Sequence, residues 1–324
     1  MHRSVNFIRI LSGYLLSRLA RKVYHWGNPV SVSIEPTNRC NLHCPECPSG
    51  QLQLTRSKGN ISYERYVRII DPLAKDLFYL NLYFQGEPYM HPDFFRLVKY
   101  AAGKGIFVST STNGHFLTPE NVRQTLESGL NKLIISLDGT NQPSYEAYRK
   151  GGSFDRVAEG IRELVRQKKE QSALIPKVVI QFIVFKTNQD QIAEVKRLGR
   201  EWGVDKVEIK TAQFYNFDKG NPLMPDNEKF SRYRKIKGDD GMTRFETRNN
   251  MPDHCWRIWS SCVFTWEGDV VPCCYDKDGT LSMGNIDTKS FQEIWRNRSY
   301  TSFRQQILTE RKEVGICRNC DQKY

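Results

Sequence analysis

Nowhere in the 324 residues does an uncharged apolar run approach the roughly 20 residues that a bilayer requires, so a membrane-spanning helix is not expected. No small-residue cleavage site follows the apolar N-terminal stretch, which argues against a secretory signal. There is no repeat of fixed period, no low-complexity segment and no RNA-recognition signature, so solenoid arrays, disordered tails and nucleic-acid partners are not expected. Acidic residues are in short supply: 36 Asp and Glu against 48 Lys and Arg leave a net charge of +12. Such a balance suits an anionic membrane or an acidic protein partner, and charge alone does not choose.

What is present describes a globular chain, 39% hydrophobic and 26% charged, long enough for one large domain and a small one. Residues 1–28 read as a basic amphipathic helix, with Arg3, Arg9, Arg18, Arg21 and Lys22 among Val5, Phe7, Ile8, Ile10, Leu11, Tyr14, Leu15, Leu16 and Leu19. It fits either peripheral contact with a membrane surface or packing on the edge of the following domain. From there, strand-like segments at 30–35, 77–84, 106–111, 132–137, 177–185 and 205–210 alternate with helical ones at 62–75, 92–104, 118–128, 153–169 and 189–202. Apolar cores such as Leu133-Ile134-Ile135 and Val178-Val179-Ile180 are continuous, as in parallel strands covered on both faces, and Gly129 and Gly203 fall where helices need left-handed caps. Six such units are too few to close an eightfold barrel, so the fold class is α/β, a partial TIM-like (βα)6 barrel over 29–215. Residues 216–254, polar and punctuated by Pro and Gly, read as a linker, and a small α+β domain occupies 255–324.

Nine cysteines in a chain of this size, clustered rather than scattered, point to metal binding and a reducing, cytoplasmic setting rather than to disulfides. Cys40, Cys44 and Cys47 form C-x3-C-x2-C directly after the first strand, with no fourth thiol nearby. His43, between two of them on a tight loop, reads as a solvated residue. Soft thiolates select zinc or iron–sulfur, and three of them leave a coordination site open for chemistry. A second set comprises Cys255, then Gly268 followed by Cys273 and Cys274, then Cys317-Arg318-Asn319-Cys320. Val263–Trp266 and Val270-Val271 around Gly268 read as a hairpin. Further polar motifs stand at the ends of the second, third and fourth strands: Gly86-Glu87-Pro88, Asn113 and Ser136-Leu137-Asp138.

The first cysteine motif resembles that of radical S-adenosylmethionine (radical SAM) enzymes, and the second resembles their SPASM/twitch extension. The resemblance implies a [4Fe-4S] cluster on Cys40, Cys44 and Cys47 whose free iron is chelated by S-adenosylmethionine (SAM). Gln85-Gly86-Glu87-Pro88 is similar to the family's Gly-Gly-Glu-Pro motif, which implies that Gly86, Glu87 and Pro88 hold the SAM ammonium. Asn113, Ser136 and Asp138 correspond to contacts with the rest of SAM, and Ile183-Val184-Phe185 to the flank of its adenine; Arg149 reads as a carboxylate partner or an exposed residue. Glu46 departs from the family, where an aromatic residue usually precedes the third cysteine near the adenine.

In the C-terminal region the resemblance implies one auxiliary [4Fe-4S] cluster on Cys255, Cys273, Cys317 and Cys320, with Cys262 and Cys274 spare and Cys274 able to replace Cys273. Four thiolates could equally hold zinc. In sulfatase-maturing relatives an aspartate follows the glycine-loop cysteine; here Cys274 stands there and Asp276 is a distant substitute, which disfavours that activity. The implied reaction is reductive cleavage of SAM, by an electron from a flavodoxin- or ferredoxin-type donor, to a 5′-deoxyadenosyl radical that takes a hydrogen atom from the substrate. A peptide is the expected substrate, oxidised or cross-linked. With no winged-helix module ahead of the barrel, its leader would be read by a separate partner. The alternatives are a dehydrogenase or epimerase acting on a carbohydrate or lipid-linked small molecule, and a non-catalytic iron–sulfur or zinc scaffold.

Overall fold

The computed structural model describes residues 2–238 and 240–321; Met1, Asp239 and residues 322–324, which fall in the ranges read as N-terminal helix, linker and C-terminal domain, lie outside the described residues. Two compact units share the chain, one built from residues 1–39, 54–109 and 251–324, the other from 40–53 and 110–250.

The first unit opens with α1 (His2–Ala20), β1 (Ser31–Ile34), α2 (Tyr63–Leu73), β2 (Tyr79–Asn81) and α3 (Phe94–Gly103), and reaches β3 (Phe107–Thr112), which the two units share. Ser62 starts α2 by accepting the Arg65 N–H, and the helix then buries Tyr66, Ile69, Ile70 and Leu73 at three- and four-residue spacing. Along β1, Ser31 and Ser33 alternate with the fully buried Val32 and Ile34. One face of the strand therefore fills the core beneath the helices, and the other stays polar.

The second unit continues with α4 (Pro119–Glu127), β4 (Lys132–Ser136), α5 (Gln142–Tyr148), α6 (Phe154–Glu170), β5 (Lys177–Val184), α7 (Ile192–Trp202) and β6 (Lys206–Thr211). Thr118-Pro119 and Ser153 cap α4 and α6, and Gly203 closes α7 in the left-handed conformation. The strands stand in the order β1-β2-β3-β4-β5-β6, with β1–β2, β2–β3, β4–β5 and β5–β6 pairing parallel. The sequence-based boundaries hold to within about two residues for most elements; α5 is additional, a short helix started by Asn141.

The structure adds to two readings. Residues 216–254 are not a bare linker: they carry an antiparallel pair, β7 (Tyr233–Lys237) and β8 (Thr243–Thr247), inside the second unit. Its anchor is Tyr233, 1% exposed, whose ring stacks on Phe217 at 4.7 Å and whose hydroxyl accepts the Phe214 N–H at 2.8 Å. The C-terminal region, read as a small α+β domain, also adds to the sheet of the first unit. After α8 (Trp256–Ser260), β9 (Ser261–Phe264) pairs parallel with β1, Ser31 opposite Ser261, and β10 (Val270–Val271) folds back on β9, so the expected hairpin extends the main sheet. Then α9 (Phe291–Trp295) and α10 (Arg298–Thr309) cover it. Between them Arg304 is fully buried, its guanidinium 4.3 Å from the ring centres of both Trp295 and Tyr300, and burial pushes it down to about 10.

Candidate functional site

In the second unit, the loop carrying Cys40, Cys44 and Cys47 packs on an aromatic wall. Leu42 and Cys44 are buried with Tyr148, Phe185, Phe214 and Tyr233, while Cys40 and Cys47 lie partly buried against the same cluster. Tyr148 and Phe185 stack at 3.9 Å, so Phe185 spends its ring on core packing. The loop is held at several points. The Cys47 N–H donates to the Cys44 carbonyl at 3.1 Å, and the His43 N–H donates to the Lys150 carbonyl at 3.0 Å. Gln51 donates to the carbonyls of His43 and Cys44, both at 3.1 Å. His43 itself is exposed, as expected of a solvated loop residue.

Two donors approach the sulfurs. Asn113 Nδ2 lies 3.9 Å from Cys40 Sγ and donates to Asn41 Oδ1 at 2.8 Å, while its own carbonyl accepts from the His115 N–H at 3.0 Å. Arg149 Nη1 lies 3.8 Å from Cys44 Sγ, and its Nε donates to Asp138 Oδ2 at 2.6 Å. Asp138 is fully buried, and its other oxygen accepts the Ile183 N–H at 2.7 Å. Both carboxylate oxygens are thus engaged inside the protein. Arg149 is only 13% exposed in its side chain, so of its two readings the carboxylate partner fits, the carboxylate being that of Asp138. Ser136 is buried at the end of β4. Burial pushes the Cys44 thiol up, and Arg149 opposes it. A metal held there would displace the thiol proton, and the neighbouring cation would favour that loss.

Glu46 has a role that its departure from the family pattern did not suggest. Its Oε1 accepts from Asn221 Nδ2 at 2.8 Å and its Oε2 from the Tyr215 N–H at 3.4 Å, tying the cysteine loop to the segment that leads into β7.

Gly86-Glu87-Pro88 follows β2 in the first unit. Gly86 has φ +74°, and a Cβ there would stand 2.5 Å from the Thr37 carbonyl oxygen and 2.7 Å from that of Arg39, so only glycine lets the two backbones approach this closely. The Glu87 N–H donates to the Arg39 carbonyl at 2.8 Å, fixing the turn to the residue that precedes Cys40 in the chain. Glu87 is buried, and its carboxylate accepts the Tyr89 N–H at 3.2 Å.

The C-terminal thiols gather in the same unit. Cys255 precedes α8, Cys273 follows β10, and the Cys320 N–H donates to the Cys317 carbonyl at 2.9 Å. Arg311 binds this set together: its Nη2 is 3.6 Å from Cys320 Sγ, it exerts its charge on Cys255 and Cys317, and Cys255 in turn acts on Cys273. Burial pushes Cys317 up to about 11. Cys274 shares a side-chain hydrogen bond with Cys273, which holds Cys274 down at about 5 and pushes Cys273 up; Cys274 also lies 3.4 Å from Arg257 Nη1, and Cys262 is buried in the range of Arg304. Asp276 caps a turn, accepting from the Thr280 and Leu281 N–H groups at 2.9 and 2.8 Å. Beside Cys273 and Cys274 opens a cavity of about 210 Å³, lined also by Ser31, Ser33, Asn81 and Arg257.

Both donor sets suit iron–sulfur chemistry. A tetrahedral zinc with 2.3 Å bonds would draw its thiolates to about 3.8 Å from one another. A cubane places each thiolate on a different iron, spreads them further, and accepts hydrogen-bond donors such as Asn113, Arg149 and Arg311 around its sulfurs.

Comparison with known proteins agrees with this chemistry. The relatives include the tungsten-containing aldehyde ferredoxin oxidoreductase cofactor-modifying protein of Pyrococcus furiosus, 26% identical over 321 residues, covering 89% of this chain and 86% of that one. The PqqA peptide cyclase of Streptomyces rochei is 26% identical over 296 residues, covering 86% and 79%. Streptococcus suis SuiB bound to its precursor peptide SuiA has a similar fold, with a TM-score of 0.64 at 14% identity over 95% of this chain and 73% of that one. The model of the iron–sulfur cluster-binding SPASM domain matches residues 255–321, the stretch that gathers Cys255, Cys273, Cys317 and Cys320. The model of the radical SAM superfamily matches residues 34–199, over half of the length, from β1 through the cysteine loop to α7; the chain belongs to that superfamily, as an α/β partial-barrel enzyme that uses SAM and [4Fe-4S] clusters and carries a SPASM domain.

Proposed function

We propose that this enzyme modifies a peptide by radical chemistry, with Cys40, Cys44 and Cys47 holding the SAM-binding cluster and Cys255, Cys273, Cys317 and Cys320 holding one auxiliary cluster. When bound, these groups supply one-electron cleavage of SAM and abstraction of a hydrogen atom from the substrate. The chain's own residues bind and orient. Gly86 and Glu87 form the turn that receives the SAM amino group, supported by the Glu87–Arg39 hydrogen bond. Asn113 and Arg149 stabilise thiolate charge on the cysteine loop, and Asp138 acts on that loop through Arg149 as a positioning residue. Cys273 is assigned as the auxiliary ligand because, beyond its hydrogen bond with Cys274 and its burial, the charge of Cys255 reaches it, while Cys274 also answers to Lys277 and Arg257.

The observation that carries the reading is the gathering of Cys255, Cys317 and Cys320 around Arg311, with Cys273 in range of Cys255, in one unit, and of three thiols on a single loop against the aromatic wall in the other. The peptide assignment rests on the PqqA peptide cyclase and on SuiB with its precursor peptide, and the cavity beside Cys273 is large enough for one amino-acid side chain. The electron comes from a flavodoxin- or ferredoxin-type donor. The test is anaerobic reconstitution followed by incubation with SAM and dithionite. Release of 5′-deoxyadenosine is expected, with about eight irons per chain falling to about four when Cys40, Cys44 and Cys47 are replaced by Ala. No 5′-deoxyadenosine, or an unchanged iron content, overturns the assignment. Turnover with a sugar or lipid-linked molecule, and none with a precursor peptide encoded beside the gene, overturns the peptide reading alone.

A further inference from the structure

The N-terminal helix α1 has two apolar faces, and the fold uses one. Asn6, Ile10, Gly13, Tyr14 and Ser17 are the buried residues. Asn6 Nδ2 donates to the Asn28 carbonyl at 2.8 Å, Tyr14 OH pairs with His254 Nδ1 at 3.0 Å, and a Cβ on Gly13 would lie 2.9 Å from the Tyr24 carbonyl oxygen, so this face is docked closely. At about 100° per residue, Ile8, Leu15 and Leu19 fall on the opposite side. They are 60%, 46% and 83% exposed, and Val5 and Leu16 widen the stripe at 42% and 38%. An apolar face of this extent turned to solvent marks an interaction site rather than chance surface composition.

Charge identifies what covers it. By the same helical geometry Arg9 and Arg18 lie on the two flanks of the stripe, roughly a quarter-turn to either side. Lys22 follows just beyond the helix end. Residues 1–34 contain five Lys and Arg and no Asp or Glu. Arg3 and Arg21 serve the fold, donating to the carbonyls of Gly105 and Leu308, whereas Arg9, Arg18 and Lys22 form no ion pair among the described residues. Trp26, 49% exposed, lies with Val5 and Arg9 around a cavity at the start of the helix. A second copy of the chain would bring these basic flanks against each other, which like charges oppose. No described helix is long and apolar enough to cross a membrane.

We propose that α1 is a docking surface for an anionic membrane: the helix lies in the plane of the headgroups, Ile8, Leu15 and Leu19 enter the acyl boundary, and Arg9, Arg18 and Lys22 meet lipid phosphates. This goes beyond the peptide reading and is independent of it.

The test is flotation of the cluster-loaded full chain with vesicles of phosphatidylcholine alone or mixed with phosphatidylglycerol. Binding is expected on the mixed vesicles, weakening as salt rises. Arg9→Gln with Arg18→Gln should weaken it about thirtyfold, taking roughly one Lys or Arg contribution for each. Ile8→Glu with Leu19→Glu should abolish it while circular dichroism and SAM cleavage stay at wild-type levels. Equal binding to both vesicle types, undiminished binding of the Glu variant, or absence of binding by a chain that sediments as a dimer through this face each overturn the proposal.

Discussion

Arg149 stands between a carboxylate and a thiol. Its guanidinium grips Asp138 through Nε and Nη2 and extends Nη1 toward Cys44 Sγ. Asp138 has no solvent exposure, so removing its cation leaves a buried charge uncompensated. Arg149→Met should cost about 3–5 kcal/mol in urea unfolding, and adding Asp138→Asn should recover part of that loss. Arg149→Lys keeps the charge but not the fork, and should fall between. At Gly86 the obstacle is backbone against backbone, because the Thr37 and Arg39 carbonyls cannot rotate away as a side chain would. Gly86→Ala should destabilise by at least about 1–3 kcal/mol and weaken SAM binding, read by denaturation and by calorimetric titration. That Cys40, Cys44 and Cys47 share one loop was legible because their close spacing alone requires it. The Asp138–Arg149 pair was not, since nothing in the run from Ser136 to Gly152 says that the chain turns back on itself through α5.

At the level of elements, β4 and β5 declare themselves by continuous apolar runs, Leu133-Ile134-Ile135 and Val178-Val179-Ile180. The pair β7–β8 gives no such signal. Residues such as Arg234, Lys235, Lys237 and Arg244 are exposed and charged, and burial is confined to Tyr233 and Thr247. A polar hairpin of that kind is indistinguishable by composition from a linker. Its connection to the site runs through Glu46 and Asn221. Glu46→Ala and Asn221→Ala should therefore be non-additive, with a coupling of about 0.5–3 kcal/mol in a double-mutant cycle on the unfolding of the loaded protein. Additive losses would show that the segment is held by Tyr233 and Phe217 alone.

For the molecule as a whole, four of the six histidines are held in the neutral form by burial: His25, pushed down to about 2 against Trp295, and His91, His115 and His254, also lowered. Their unfolded counterparts take up protons near pH 6.5, whereas the folded ones do so at lower pH. The unfolded state then binds more protons, so stability is full above about pH 6.5 and declines as pH falls, by up to about 1.4 kcal/mol per pH unit for each such group. Thermal unfolding between pH 7.5 and 5.5 should show the decline, and His25→Phe should flatten it. At this scale the α/β class and the cluster chemistry could be read from the sequence, because both rest on periodicity and spacing. The division of the chain could not, because it depends on which strand β1 accepts as its second neighbour.

That neighbour is β9, made more than two hundred residues later than the strand it completes. During synthesis β1 therefore emerges with one edge bare and keeps it so until Ser261–Phe264 leave the ribosome. A fragment that stops before Ser261 would therefore keep the β1 edge unpaired, however complete its other strands.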